Sequence, residues 1–130
     1  MSGRTNDRRL DCIFCKIVAG EINCIKVGES DLALAFLDMS PSSDGHTLVI
    51  PKNHSSDLLT TSDKDLHAVI SLAKEVALNI EGSKLDCAGF NFLSNQGYLA
   101  GQRVNHMHLH VIPKYAIIKP GICMCPEIGL

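Results

Sequence analysis

Nine residues, Val104-Asn105-His106-Met107-His108-Leu109-His110-Val111-Ile112, restrict the fold more than any other part of the chain. Half of the six histidines sit at every second position here, and Met107, Leu109 and Val111 fall between them. A period of two is the pattern of a half-buried strand, whose successive side chains point to opposite faces. The spacing predicts a strand over 104–112, with the apolar set in a core and three imidazoles in a row on the other face. Same-face neighbours on a strand stand roughly 6.5–7 Å apart, too far for imidazoles to bond unless they lean. Such a row suits either one extended ligand or imidazoles that serve different sites.

The remaining elements follow from periodicity and breakers. Phe14 to Val18 reads as a short helix stopped at Ala19-Gly20. Ile25 to Val27 and Leu32 to Leu37 read as strands separated by turn residues Gly28, Ser30 and Asp31. Asp38 to Gly45 is a loop by composition, and His46 to Ile50 is a β-branched run ended by Pro51. Ser62 to Ile80 is the clear helix. Ser62 with Asp65 resembles a capping box, and Leu66, Val69, Ile70, Ala73, Val76, Ala77 and Ile80 form one apolar stripe. His67, beside that stripe, reads as a surface or boundary histidine. Ala88 to Ser94 is a further strand, followed by a glycine-containing loop through Gly101 and then the histidine strand, ended by Pro113. The expected architecture is α+β: a mainly antiparallel five-stranded sheet with one long and one short helix. A polar arm is expected over 1–10, one domain over 11–115 and a tail over 116–130, where Cys123 and Cys125 have no assigned role.

Composition narrows the class. At 130 residues, with 45% apolar and 20% charged side chains, the chain suits one globular domain. Twelve basic against fourteen acidic residues give a net charge of −2, with no basic block longer than Arg8-Arg9. Neither a nucleic-acid nor a membrane partner is expected. Residues 1–10 lack the apolar stretch of a signal peptide, so a cytosolic or nucleocytoplasmic setting is expected for the six cysteines.

Two constellations carry chemistry. Cys12-x-x-Cys15 at a helix start is half of a tetrahedral zinc site, and histidines such as His54 and one member of the 106/108/110 row would have to complete it. Two nearby cysteines also arise by chance, and spacing alone leaves both readings open. The histidine row suits attack on phosphorus, because a neutral imidazole nitrogen is nucleophilic near neutral pH. Asn95 and Gln102 supply amide donors for phosphate oxygens, the Gly97–Gly101 loop lets backbone N–H groups approach an anion, and Arg103 adds a charge. A catalytic metal held by H-x-H is the rival. It needs a further ligand, and Asp38 and Asp44 are the acidic candidates.

These residues resemble a known family. His106-Met107-His108-Leu109-His110-Val111-Ile112 fits the H-φ-H-φ-H-φ-φ signature of the histidine triad (HIT) superfamily of nucleotidyl hydrolases and transferases. Ala35 to Pro41, Gly45 to His54 and Ala100-Gly101-Gln102 resemble it in the same order, so the similarity spans about residues 11 to 115. Asp11 to Ile17 resembles the opening of the Hint and bacterial Hit-protein branch. The resemblance implies that His108 attacks the α-phosphorus and is transiently nucleotidylated, and that His110 bonds the phosphate or leaving group. It implies a nucleotide site of Ile13, Phe14, Leu37, Asp38, Asn95, Gly101, Gln102 and Arg103, with Asp38 on the ribose hydroxyls and a purine nucleotide as substrate. His46 would orient the triad. Cys12, Cys15, His54 and His106 would hold a structural zinc ion, with no metal needed for the chemistry. The implied protein is a homodimer that hydrolyses nucleoside 5′-phosphoramidates or related conjugates. The alternatives are a dinucleoside polyphosphate hydrolase and a non-catalytic nucleotide-binding scaffold. The chain departs from the branch at Arg103, where serine is usual, at Ala100, and in having no tryptophan after Tyr115.

Overall fold

The computed structural model describes residues 9–116. Residues 1–8 of the arm expected over 1–10, and residues 117–130 of the tail expected over 116–130, with Cys123 and Cys125, lie outside the described residues. Within them run helix α1 (Ile13–Val18), strands β1 (Lys26–Glu29), β2 (Ala33–Leu37) and β3 (Thr47–Pro51), helix α2 (Asp63–Glu81), and strands β4 (Cys87–Leu93) and β5 (Leu109–Tyr115). The strands form one antiparallel sheet in the order β1-β2-β3-β5-β4. This is the α+β architecture expected. Short 3₁₀ turns at Leu58–Thr60 and Tyr98–Ala100 add to it.

Alternation along β2 and β3 builds a core on each face of the sheet. Ala33, Ala35 and Val49 point to one side and pack with Val69, Leu72, Ala73 and Val76 of α2. The two alanines leave room for the helix to lie close, and Gly28 extends that room. A Cβ on Gly28 would stand 3.3 Å from Leu72 Cδ1. Leu34, Phe36, Leu48 and Ile50 point to the other side and pack with Cys12, Phe14 and Cys15. Each large apolar side chain buried here contributes about 1.5–3 kcal/mol. Met107, Leu109 and Val111 join the α2 side, as the alternation required. His110 pairs with Leu48 and therefore faces the α1 side.

The histidine strand is shorter than its pattern suggested. Pairing with β3 begins only at Val49–Leu109. Ahead of that point the chain follows the loop after β3 instead, and Met107 N–H donates to Ser55 O at 2.7 Å. Residues 106–109 are all buried, Met107 and Leu109 in the α2 core and His106 and His108 against Phe14, so the alternation of faces extends beyond the strand.

Pro51 is the last residue of β3, as expected, whereas Pro113 lies inside β5. Pro51 pairs with Ala33 on one side, but β5 no longer pairs with β3 beyond Val49, so no ladder bond is lost on that side. Pro113 pairs with Phe90 beyond the reach of β3, and its carbonyl accepts from Ser43 Oγ at 2.6 Å. Gly28, read as a turn residue, lies within β1 opposite Ala35 next to a bulge.

On α2, Ser62 caps the helix and accepts from Asp65 N, and Gly82 ends it. The buried stripe differs at one step, since Leu72 is buried and Ile70 is 55% exposed. His67 is exposed, as expected.

Candidate functional site: a histidine cluster beside a Cys2His2 centre

The site lies where the start of β5 meets α1, the end of β3 and the loop after β4. Hydrogen bonds fix which nitrogen of each imidazole carries the proton, and so fix what each ring can do.

His106 is fully buried. Its Nε2 lies 2.8 Å from Pro51 O, and a carbonyl can only accept, so Nε2 carries the proton. The Nδ1 lone pair is left facing Cys12 Sγ at 3.3 Å and Cys15 Sγ at 3.6 Å. His54 Nδ1 stands 3.3 Å from Cys15 Sγ. The four donor atoms lie within 4.8 Å of one another. Tetrahedral zinc, with bonds of about 2.3 Å to sulfur and about 2.0–2.1 Å to nitrogen, sets S and N donors about 3.6 Å apart. The donor set fits zinc in chemistry and in spacing. The Nε2–H of His106 on a backbone carbonyl is the outer bond that metal-ligating histidines make. Cys12 also caps α1, its Sγ accepting from Cys15 N at 3.4 Å, so the helix start itself places both thiols.

His108 is held oppositely. Its Nδ1 lies 2.8 Å from His106 O and must donate, so the lone pair is on Nε2. Ser94 Oγ donates to His108 O at 2.6 Å, and the edge of Phe14 packs on the ring with centroids 5.2 Å apart. Burial is the main cause that pushes the His108 pKa down, opposed by the bond to His106 O. The ring is neutral near pH 7 with its nucleophilic nitrogen unprotonated.

His110 belongs to a chain. Ser42 N–H donates to His46 Nδ1 at 2.9 Å, which places the His46 proton on Nε2. That Nε2 lies 3.0 Å from His110 Nδ1 and 3.4 Å from Asp38 Oδ2. His110 Nδ1 therefore accepts, and its Nε2–H is the donor it offers. The rings of His108 and His110 lean to a centroid separation of 5.2 Å. Burial first, then the neighbouring His108 and His46, hold the His110 pKa down at about 4. Burial also lowers His46, with Asp38 opposing and Lys114 assisting.

Asp38, His46 and His110 also offer three donors within 4.8 Å, the arrangement that a metal-dependent reading would need. The bond from Ser42 argues against it, because a nitrogen that keeps its proton is no metal ligand. This cluster is a hydrogen-bond relay. Asp44 is not part of it; its carbonyl accepts from the Tyr115 hydroxyl.

The other expected residues are placed unequally. Asp38 lies beyond β2, partly exposed, with Oδ1 accepting from Ser40 N at 2.9 Å. Ile13 is 47% exposed and Leu37 partly buried, whereas Phe14 is 7% exposed and supports His108 and Phe36 rather than forming an open wall. Asn95 Nδ2 reaches Gly101 O at 3.4 Å. Gln102 is buried and already engaged. Its Nε2 donates to Ser56 O and Val104 O, and its Oε1 accepts from Gly97 N. Gln102 thus pins the loop here instead of presenting amide donors to a phosphate. Gly97 and Gly101, at φ +92° and +105°, allow the turn that loop makes. Arg103 is exposed at its rim. Sequence reasoning missed Ser42, Ser94 and the Pro51 carbonyl. A serine or a backbone group that bonds across the fold leaves no spacing signal.

The HIT domain family profile matches residues 19–117. The chain belongs to the HIT family. It is 53% identical over 104 residues to an uncharacterized HIT-like protein of Mycoplasma genitalium, covering 80% of this chain and 73% of that protein. It is 45% identical to the adenosine 5′-monophosphoramidase hnt1 of Schizosaccharomyces pombe, over 81% and 75% of the two chains. A zinc-bound histidine triad family protein from Mycobacterium smegmatis superposes with a TM-score of 0.81 at 35% identity, over 88% and 81%.

The depressed imidazoles set a pH dependence. His110 takes up a proton at 6.5 when unfolded but only near 4 when folded, so the unfolded state binds more protons in between. Its contribution to stability is present above 6.5 and is lost as pH falls toward 4. Histidine NMR titration should find the His110 ring neutral at pH 6, with the melting temperature already declining from 6.5 downward. Titration of His110 at its ordinary value would refute this.

Proposed function

We infer that this HIT protein hydrolyses nucleoside 5′-phosphoramidates and related nucleotidyl conjugates to nucleoside monophosphates through a histidine-bound intermediate. The observation that carries the reading is the opposed protonation of the two neighbouring rings. His108 offers a bare Nε2 while His110 offers an Nε2–H, the pair that a nucleophile and a phosphate-binding donor require. The similarity to an adenosine 5′-monophosphoramidase adds support.

In the first step His108 Nε2 attacks the α-phosphorus and the bond to the leaving group breaks. A phosphoramidate, protonated on its nitrogen, releases a neutral amine. His108 is then bonded to phosphorus at Nε2 and still protonated at Nδ1, a cationic ring that donates to His106 O. His110 Nε2–H donates to a phosphate oxygen as charge shifts there. In the second step water attacks phosphorus, the P–N bond breaks with its electron pair returning to His108, and the water proton passes to solvent. Asp38 would accept from ribose hydroxyls, with Ile13 and Leu37 against a purine base. His108→Ala should lower turnover of an adenosine phosphoramidate by at least about a thousandfold while AMP binding by calorimetry persists. Turnover within tenfold of native would remove His108 as nucleophile.

Zinc bound by Cys12, Cys15, His54 and His106 would supply a closed cross-link between α1, the loop after β3 and the approach to β5, with no open position for substrate. Metal analysis should find one equivalent of zinc in the native protein, and Cys15→Ser should abolish it and lower the melting temperature. Native protein purified without zinc and equally stable would refute the site.

A homodimer through α2 and β4 completes the reading. β4 is an edge strand, and Ile70, Leu78 and Phe92 beside it are each at least half exposed. With Ala77 and Phe90 they line an apolar groove of about 340 Å³. A second copy would cover both the groove and the edge. Sedimentation of Phe92→Asp should give a monomer where the native chain gives a dimer; a native monomer would overturn the assignment.

A further inference from the structure

β5 carries His110 and, further along, holds the loop between β2 and β3. Its pairing with β3 runs only from Leu109 to Val111, and past that point the loop reaches the strand instead. Two side-chain bonds hold it there. Ser43 Oγ donates to Pro113 O at 2.6 Å, and the Tyr115 hydroxyl donates to Asp44 O. Pro113 has no N–H, so its carbonyl is the one backbone group it can offer the loop. The loop also lies close on the proline ring: Gly45 has φ +86°, and a Cβ there would stand 3.4 Å from Pro113 Cγ.

The clasped residues adjoin the one that sets the proton of His46. Ser42 N–H donates to His46 Nδ1 at 2.9 Å, and His46 N–H donates to Ser43 O at 3.1 Å. Residues 42–46 thus close as a turn around one imidazole, and Ser43 and Asp44 fix that turn to β5. The proton of a neutral imidazole sits on whichever nitrogen its partners favour. An N–H can only donate, so Ser42 requires a lone pair at Nδ1 and places the proton on Nε2. That Nε2 lies 3.0 Å from His110 Nδ1 and 3.4 Å from Asp38 Oδ2. Asp38 pulls in the same direction over the longer distance. Ser42 is the nearer hold, and a backbone N–H is only as well aimed as the turn that carries it. With that N–H withdrawn, His46 could carry its proton on Nδ1 and turn a bare Nε2 to His110. His110 would then have to donate from Nδ1, and its Nε2 would lack the proton that a phosphate oxygen needs.

We propose that Ser43 and Tyr115 are positioning residues: by clasping the 42–46 turn to β5 they keep the proton of His110 on Nε2. The strand that carries His110 anchors, three and five residues further on, the turn that decides its tautomer. Neither residue touches substrate. The route runs from Ser43 and Tyr115 to Ser42, from Ser42 to His46 and from His46 to His110. The hold on the tautomer exists without any reaction, while its effect on turnover rests on the hydrolase reading above.

The test uses the full-length native protein, Ser43→Ala, Tyr115→Phe and the two combined, with Ser43→Thr as the variant that keeps the hydroxyl. His46→Ala is made alone and together with Ser43→Ala. The first readout is the nitrogen NMR spectrum of the imidazoles, which separates the two tautomers of each ring. Native protein should show His110 mainly in the Nε2–H form. Each bond removed should raise the Nδ1–H population about two- to tenfold, the effect of one hydrogen bond, and Ser43→Thr should match the native spectrum. The signals of His106 and His108 should stay native throughout; if they move as well, the clasp is a general support of the fold and the proposal falls. The second readout is turnover of an unsubstituted adenosine 5′-phosphoramidate. Its kcat should fall about two- to tenfold per bond with KM little changed, because the His110 bond strengthens in the transition state. Once His46 is alanine, adding Ser43→Ala should change nothing further. An unchanged His110 spectrum in the combined variant overturns the proposal, as does a Ser43→Ala effect that persists without His46. A tautomer shift in a protein whose native form shows no turnover overturns the hydrolase reading and leaves the clasp standing.

Discussion

His106 is the residue on which the rest of this site depends, although it has no place in the proposed bond-making steps. Its ring is gripped twice, by the Pro51 carbonyl at Nε2 and by the thiol pair at Nδ1. Its backbone carbonyl takes the Nδ1 proton of His108. One buried residue thus connects the Cys2His2 centre to the nitrogen on which nucleophilicity rests. The dependence is geometric: if the His106 backbone moves by a fraction of an ångström, the bond that holds the His108 tautomer lengthens. The burial that gives the site this rigidity also excludes water and keeps all three rings of the row neutral near pH 7, each with its pKa below the ordinary 6.5.

A second line of control reaches the row from the other side. The Ser42 N–H fixes His46, His46 fixes His110, and Asp38 lies beside both rings. The two chains differ in the direction in which they pass their hydrogen bonds. His108 donates backward to a carbonyl and is left with a lone pair. His110 accepts at the equivalent nitrogen and is left with a proton. Identical side chains two residues apart are given complementary chemistry by what stands behind them. The sheet makes this arrangement possible, because β3 supplies Leu48 opposite His110 and its end supplies the Pro51 carbonyl to His106.

Much of the fold was legible because period two and period 3.6 are consequences of backbone geometry. The alternation at 106–111 correctly put Met107, Leu109 and Val111 in the core beneath α2. Where the reading slipped, a tertiary partner had decided the matter. The segment 104–108 has the period-two pattern yet leaves the sheet to follow the loop after β3. Pro113 remains within β5 because β3 has stopped pairing with that strand by this point. Ile70 and Leu72 exchanged places because the helix leans on Gly28 and the small alanines of β2. Gln102, an amide donor by type, has its donors taken by Ser56 and Val104.

The sequence by itself determined the α+β class, the two amphipathic elements that enclose the core, and the set of residues with chemistry to offer. Those are matters of residue type and spacing, and a chain carries them before it folds. Tertiary structure alone decided which nitrogen of each histidine bears a proton, which histidines join the cysteines, and which amides stand free. Each of these depends on a donor or acceptor brought from far along the chain, often a backbone group that every residue possesses. The three evenly spaced imidazoles are alike in the sequence. They become a ring turned to two thiols, a ring with a bare Nε2 and a ring with an Nε2–H only through Pro51, His106 and His46.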